Sequence, residues 1–164
     1  MRTAICPGSY DPITLGHLNI ICRSAKIFDE VVVCVMQNRS KSAPMFSVEE
    51  KLDMIRRVVG RFPNVRVDYY SGLLAEYAKQ FENPVVVKGL RAASDFEYEF
   101  QMNLVNKRLN PELETMFLTA SEEYTFLSSS VIREMAMYGA DIQGLVPNEI
   151  IADIETKAKA WRAK

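Results

Sequence analysis

The sequence predicts an α/β fold in which a five-stranded parallel sheet carries helices on both faces. Three observations predict it. Short apolar runs rich in β-branched residues recur along the chain, and stretches with helical spacing separate them. The runs are apolar throughout rather than alternating, the pattern of strands covered on both sides. Parallel neighbours also need a crossover, which the intervening helices supply.

The elements follow in order. Residues 3–6 form a short strand ended by Pro7-Gly8, and residues 31–36 a longer one. Between them Ile13, Leu18, Ile21, Ile27 and Phe28 fall at helical spacing, which predicts a helix over 14–28. Ser47 and Glu50 form a capping box ahead of the periodic Leu52, Ile55, Val58 and Val59. Residues 65–69 are the third strand, 73–81 a helix and 84–87 the fourth strand. Asp95 caps a helix carrying Phe96, Phe100, Leu104 and Val105 as far as Leu109, where Asn110-Pro111 stops it. Residues 116–118 are the fifth strand. Ser128 or Ser129 caps a helix ending near Tyr138-Gly139, and Asn148 caps the last helix, through Ile151 and Ile154 to Trp161.

A chain of 164 residues has the length of one domain, so residues 1–164 are expected to form a single unit. Hydrophobic residues make up 48% and charged residues 25%. No apolar run approaches the roughly 18 residues that cross a bilayer. The opening MRTAICPGSYDP reaches a Pro-Gly turn without a signal-like stretch, which places the protein in the cytoplasm. A net charge of -1 gives no global attraction to nucleic acid or to an anionic membrane, so any anion site must be local. Cys6, Cys22 and Cys34 are an odd set with no C-x-x-C pair and read as buried free thiols.

Ligands of open parallel sheets gather at the carboxyl ends of the strands, where helix N-termini present free N–H groups. Three such loops carry unusual chemistry: CPGSYDPITLGH after the first strand, KGLR after the fourth and YTFLSSSVIR after the fifth. The first has the outline of a phosphate site, yet it lacks the G-K-[ST] of a Walker A loop and the G-x-G-x-x-G of a dinucleotide site. Thr14 and His17, three apart on one helix face, can aim at one anion, and Gly16 permits close backbone approach. His17 is the only histidine in the chain.

PGSYDPITLGH resembles the first motif of the nucleotidylyltransferases, whose signature is [HT]-x-G-H, and within them the phosphopantetheine adenylyltransferase family. GLRAASDFEYEFQMN and FLSSSVIRE are similar to that family's two later blocks, in the same order. The resemblance implies a Rossmann-like fold and transfer of the adenylyl group of ATP to 4′-phosphopantetheine, in coenzyme A biosynthesis, with Mg²⁺ as cofactor. It also implies a homohexamer. Because the acceptor phosphate is already anionic, direct displacement at the α-phosphorus needs no general base, only alignment and charge stabilisation.

The roles it implies are specific. Catalysis falls to His17, Lys41, Lys88 and Arg91. ATP would be held by Ser9, Tyr10, His17, Gly89, Leu90, Arg91 and Glu99, and by Tyr124, Thr125, Phe126, Leu127, Ser128, Ser129 and Ser130. The acceptor would be held by Ser9, Lys41, Leu74 and Lys88. Lys88 stands where the family usually has Arg, which keeps the charge but not the planar fork. Several of these residues also have plainer readings: His17 as a capping or partly buried imidazole, Lys41 as a solvated loop charge, Leu74 as core, Glu99 as an exposed helix acid, the serines as caps. No carboxylate cage for a metal is visible, so Mg²⁺ would be held mainly by ATP and water. The alternatives are a transferase for nicotinate mononucleotide or glycerol 3-phosphate, against which Thr14 and the DFEYE block argue, and a non-catalytic nucleotide-binding module.

Overall fold

A computed structural model describes residues 1–37 and 43–163. Its strands and helices are β1 (Thr3–Gly8), α1 (Leu15–Ile27), β2 (Glu30–Met36), α2 (Val48–Val59), β3 (Val65–Tyr70), α3 (Leu74–Ala78), β4 (Pro84–Leu90), α4 (Ala93–Leu109), β5 (Glu114–Thr119), α5 (Ser129–Met137) and α6 (Ile151–Arg162). Short 3₁₀ turns at Glu122–Tyr124 and Asn148–Ile150 precede the last two helices. All strand pairs are parallel and the sheet order is β3-β2-β1-β4-β5, the predicted Rossmann-like α/β architecture. The chain steps outward from β1 to β3 and then crosses back to lay β4 on the other side of β1. That reversal opens a crevice at the carboxyl ends of β1 and β4.

Side-chain alternation along the strands divides the core in two. Ala4, Cys6, Val31, Val33, Val35 and Val87 face one side, where they meet Ile21, Ile55, Ile132 and Ile154 from α1, α2, α5 and α6. Ile5, Val32, Cys34 and Val86 face the other, against Ala75, Tyr77 and Leu113. Both faces are covered, as the uniformly apolar strands require. Each fully buried aliphatic side chain contributes about 1.5–3 kcal/mol.

Several local signals are met directly. Thr14 N-caps α1 and Ser47 N-caps α2, each in a reciprocal capping box. Ser128 caps α5 by accepting the Val131 N–H at 3.2 Å. Others are not. Asp95 does not cap α4, whose N-cap is Ala92; its carboxylate instead accepts the Arg91 N–H. Helix α3 is shorter than 73–81 because the N–H groups of Lys79, Gln80 and Phe81 donate to carbonyls three residues back, which tightens its end into turns. Asn148 opens a 3₁₀ turn rather than capping α6. β4 continues through Leu90, so Lys88 and Gly89 belong to the strand, in register with Phe117 and Leu118 of β5. The three cysteines are free, Cys6 and Cys34 buried and Cys22 partly so.

Helix α4 departs furthest from expectation. None of its residues is buried, and Phe96, Phe100, Leu104 and Val105 stay 45%, 46%, 54% and 45% exposed. Its apolar residues also include Tyr98 and Met102, so they surround the helix rather than marking one face toward the sheet.

The Ser47 cap provides a check on this account of local structure. Ser47→Ala removes the acceptor for the Glu50 N–H and is expected to lower unfolding stability by about 1 kcal/mol in urea titration, with an unchanged m-value.

Candidate active site

A cavity of about 1030 Å³ occupies the crevice. It is walled by the loop after β1, the end of β4 and the first turns of α1, α2, α4 and α5. That volume lies at the upper end for small-molecule sites and suits more than one ligand.

Thr14 organises the first wall. Its hydroxyl accepts the His17 N–H at 3.3 Å, and its own N–H donates to His17 Nδ1 at 3.0 Å. A backbone N–H can only donate, so Nδ1 is the acceptor and the ring proton sits on Nε2. Tyr10 packs edge-on against the imidazole with ring centroids 5.0 Å apart, while its hydroxyl donates to the Cys6 carbonyl at 2.8 Å. Burial, and then the charges of Arg91 and Lys88, hold the His17 pKa down at about 4. In the free protein the ring is therefore a neutral N–H donor at pH 7.

The cations come from β4, the residue that follows it and α5, and acids hold them in place. Arg91 donates Nε and Nη2 to Asp95 at 3.1 and 3.3 Å and Nη1 to the Leu127 carbonyl at 2.7 Å. Lys88 Nζ lies 3.5 Å from Glu99. Arg133 donates to the Asp11 carbonyl at 2.6 Å and to Ser130 Oγ at 3.2 Å. The Ser129 hydroxyl donates to the Pro12 carbonyl at 2.7 Å, which pins the start of α5 to the first loop. Gly89 is required by packing, since a Cβ there would come within 2.9 Å of Ile20 Cγ1. Gly16 is not: a Cβ there meets its neighbours at ordinary contact distances, 3.5 Å and beyond.

The residues singled out from sequence largely converge. Ser9, Tyr10, His17, Leu74, Lys88, Gly89, Arg91, Glu99, Tyr124, Leu127, Ser128, Ser129 and Ser130 all line the cavity. Leu90, Thr125 and Phe126 do not. Leu90 ends β4, where its carbonyl accepts the Ala120 N–H. The Thr125 hydroxyl turns onto the Glu122 carbonyl at 2.9 Å, and the Phe126 ring is 59% exposed. Lys41 lies outside the described residues.

Two buried charged residues of the cavity escaped the sequence reading. Asp11 looks like an ordinary turn residue before proline, yet it is buried and accepts the N–H groups of Met45 and Phe46 at 2.9 and 3.0 Å. Lys51 looks like one more charge after Glu49 and Glu50, yet it too is buried. Its spacing to Met54, Ile55 and Val58 places it on the apolar stripe of α2, which is the signal that could have found it.

The acids of the cleft are committed: Asp11 to backbone N–H groups, Asp95 to Arg91 and Glu99 to Lys88. Among the described residues no three histidine, cysteine or acidic side chains gather as a metal site. This donor set does not fit a resident metal. Nor, among the described residues, is any helix long and apolar enough to cross a membrane.

The single histidine makes the electrostatic account measurable. The imidazole proton signal of the free protein should titrate near pH 4 instead of its ordinary 6.5. The unfolded chain then binds the extra proton between those values, so this residue's contribution to stability falls as pH drops from 6.5 to 4. A midpoint at or above 6.5 in proton NMR contradicts the assignment.

A family model described as cytidylyltransferase-like matches residues 5–135. The chain is 52% identical to a phosphopantetheine adenylyltransferase from Dictyoglomus turgidum over 97% of this chain and 99% of that protein. It is 53% identical to one from Clostridium kluyveri, over 96% and 95% of the two chains. Among solved structures it resembles a bifunctional NMN adenylyltransferase/ADP ribose pyrophosphatase from Francisella tularensis, crystallised with AMP and a manganese ion, at a TM-score of 0.69 and 13% identity. That likeness covers 99% of this chain and 52% of the other, so the chain spans about half its length, and it speaks to fold alone. By the extent and identity of these matches, the chain belongs to the phosphopantetheine adenylyltransferase family, within the cytidylyltransferase-like nucleotidyltransferases.

Proposed function

We propose that this protein transfers the adenylyl group of ATP to 4′-phosphopantetheine, giving dephospho-coenzyme A and pyrophosphate, in the cytoplasm and as a step of coenzyme A biosynthesis. The observation that carries the reading is the convergence of His17, Lys88, Arg91 and Ser128–Ser130 on one cavity large enough for two ligands, in a chain of this family. A free, anionic (non-ester) phosphate oxygen of the acceptor attacks the α-phosphorus of ATP. One P–O bond forms, the bond to the β-phosphate breaks and pyrophosphate leaves, with no proton to move. The protein's work is to align the two phosphates and to neutralise the charge that builds on their oxygens.

His17 Nε2–H then donates to an α-phosphate oxygen, its aim fixed by the Thr14 N–H behind it. Lys88 faces the acceptor phosphate and Arg91 the triphosphate. Ser129 and Ser130 meet the β- and γ-phosphates at the start of α5, where helix N–H groups favour anions. Ser9 and Tyr10 line the nucleotide loop, Leu74 the acceptor arm, and Lys41, which precedes α2 in the chain, adds a cation. The carboxylates now paired with Lys88 and Arg91 would give up part of that pairing as phosphates arrive. Mg²⁺ would be held mainly by the nucleotide phosphates and water, and would supply part of the charge neutralisation. A second copy of the chain is the expected partner, in a hexamer, and the exposed apolar surface of α4 supports self-association.

Three measurements test this. Protein, ATP and Mg²⁺ should release pyrophosphate with 4′-phosphopantetheine and not with nicotinate mononucleotide or glycerol 3-phosphate; release with another acceptor alone overturns the substrate. His17→Ala should lower kcat about 10²–10³-fold with an unchanged circular dichroism spectrum, and a near-normal rate removes its role. Phe100→Glu, on exposed α4, should reduce the sedimenting mass; an unaltered oligomer contradicts assembly through that helix.

A further inference from the structure

Lys51 sits on the buried stripe of α2 beside Met54 and Ile55, and its side chain is only 8% exposed. An ammonium offers three donors, and leaving them unmade in a buried position costs far more than on a surface. Among the described residues its one charged contact is Asp11 Oδ1, at 3.7 Å, which is beyond hydrogen-bonding distance. At that distance Asp11 does not satisfy it. Its Oδ1 already accepts the Phe46 N–H and its Oδ2 the Met45 N–H. Asp11 also shares its single negative charge with Arg133, whose Nη1 lies 3.6 Å from Oδ2. Two cations thus stand around one carboxylate, leaving a surplus positive charge. All three residues line the cavity, between the serines of α5 and the segment that leads into α2.

We infer that Lys51 is a further phosphate-binding residue: its ammonium hydrogen-bonds a phosphate oxygen of a ligand in this cavity, and Asp11 is the positioning residue that holds Lys51 and Arg133 at that place. The inference deepens the proposed reaction and rests on it for the identity of the ligands, which are the triphosphate of the nucleotide and the phosphate monoester of the acceptor. An incoming phosphate completes the donors of Lys51 and balances the surplus charge. A lysine retained only to pair with Asp11 would gain nothing from a ligand. Its replacement by an apolar residue of similar length would leave anion affinity untouched.

Calorimetry on the whole chain tests this without turnover, titrating ATP, inorganic pyrophosphate and 4′-phosphopantetheine separately into the native protein and into Lys51→Met. The variant should bind at least one of the three about 10- to 100-fold more weakly. Loss confined to ATP and pyrophosphate places the contact on the nucleotide, and loss confined to 4′-phosphopantetheine places it on the acceptor. If Lys51→Met does not fold, Lys51→Gln carries the same expectation. Native affinity for all three anions in a folded variant overturns the inference, as does a changed melting temperature with unchanged affinities. Should the native protein bind pyrophosphate yet yield no product with 4′-phosphopantetheine, the reaction reading fails while the Lys51 contact is still decided by calorimetry.

Discussion

The hydrogen bond from the Thr14 amide to His17 Nδ1 does two things at once. As half of a capping box it satisfies an N–H that the start of α1 would otherwise leave unmade. It also fixes the tautomer and the aim of the only histidine in the chain. Glutamate commonly fills this capping position, and a carboxylate there would repel phosphate. Imidazole closes the same box with one nitrogen and keeps an N–H on the other. Local helix chemistry and site chemistry are therefore met by the same atoms.

Beyond that bond, the cleft handles charge in an ordered way. Arg91, Lys88 and Arg133 are each held by an acid or a carbonyl, so the cavity presents cations without leaving them as isolated buried charges. Asp95 and Glu99 stand four residues apart on α4, so one exposed helix supplies the partners of Lys88 on β4 and of Arg91 just after it. The sheet supplies the rest. Because its strand order reverses at β1 and β4, the loops that carry these residues open into one crevice although they are far apart in sequence.

Much of this was legible in the sequence because it was local or periodic. The short apolar runs located all five strands, and the spacing of Ser47 to Glu50 located the start of α2 to the residue. What stayed hidden depended on distant partners. Asp95 looks like a cap until Arg91 is seen beside it. Lys51 looks solvated until α2 is laid against Asp11. The exposure of α4 was invisible because apolar residues around a helix do not tell which neighbour they await. Phe126 sits within a run of candidate residues but faces outward, since a motif fixes its backbone turn and not the direction of each side chain.

The central claim is that nucleotide and acceptor phosphates meet directly in this one cleft, with cations and N–H donors in place of a covalent intermediate. The stereochemical course at the α-phosphorus tests it most directly, using ATP made chiral at that atom with oxygen isotopes and reading the configuration of the adenylylated product. A single in-line displacement predicts inversion. Retention, the mark of two successive displacements through an adenylylated protein, would contradict the account.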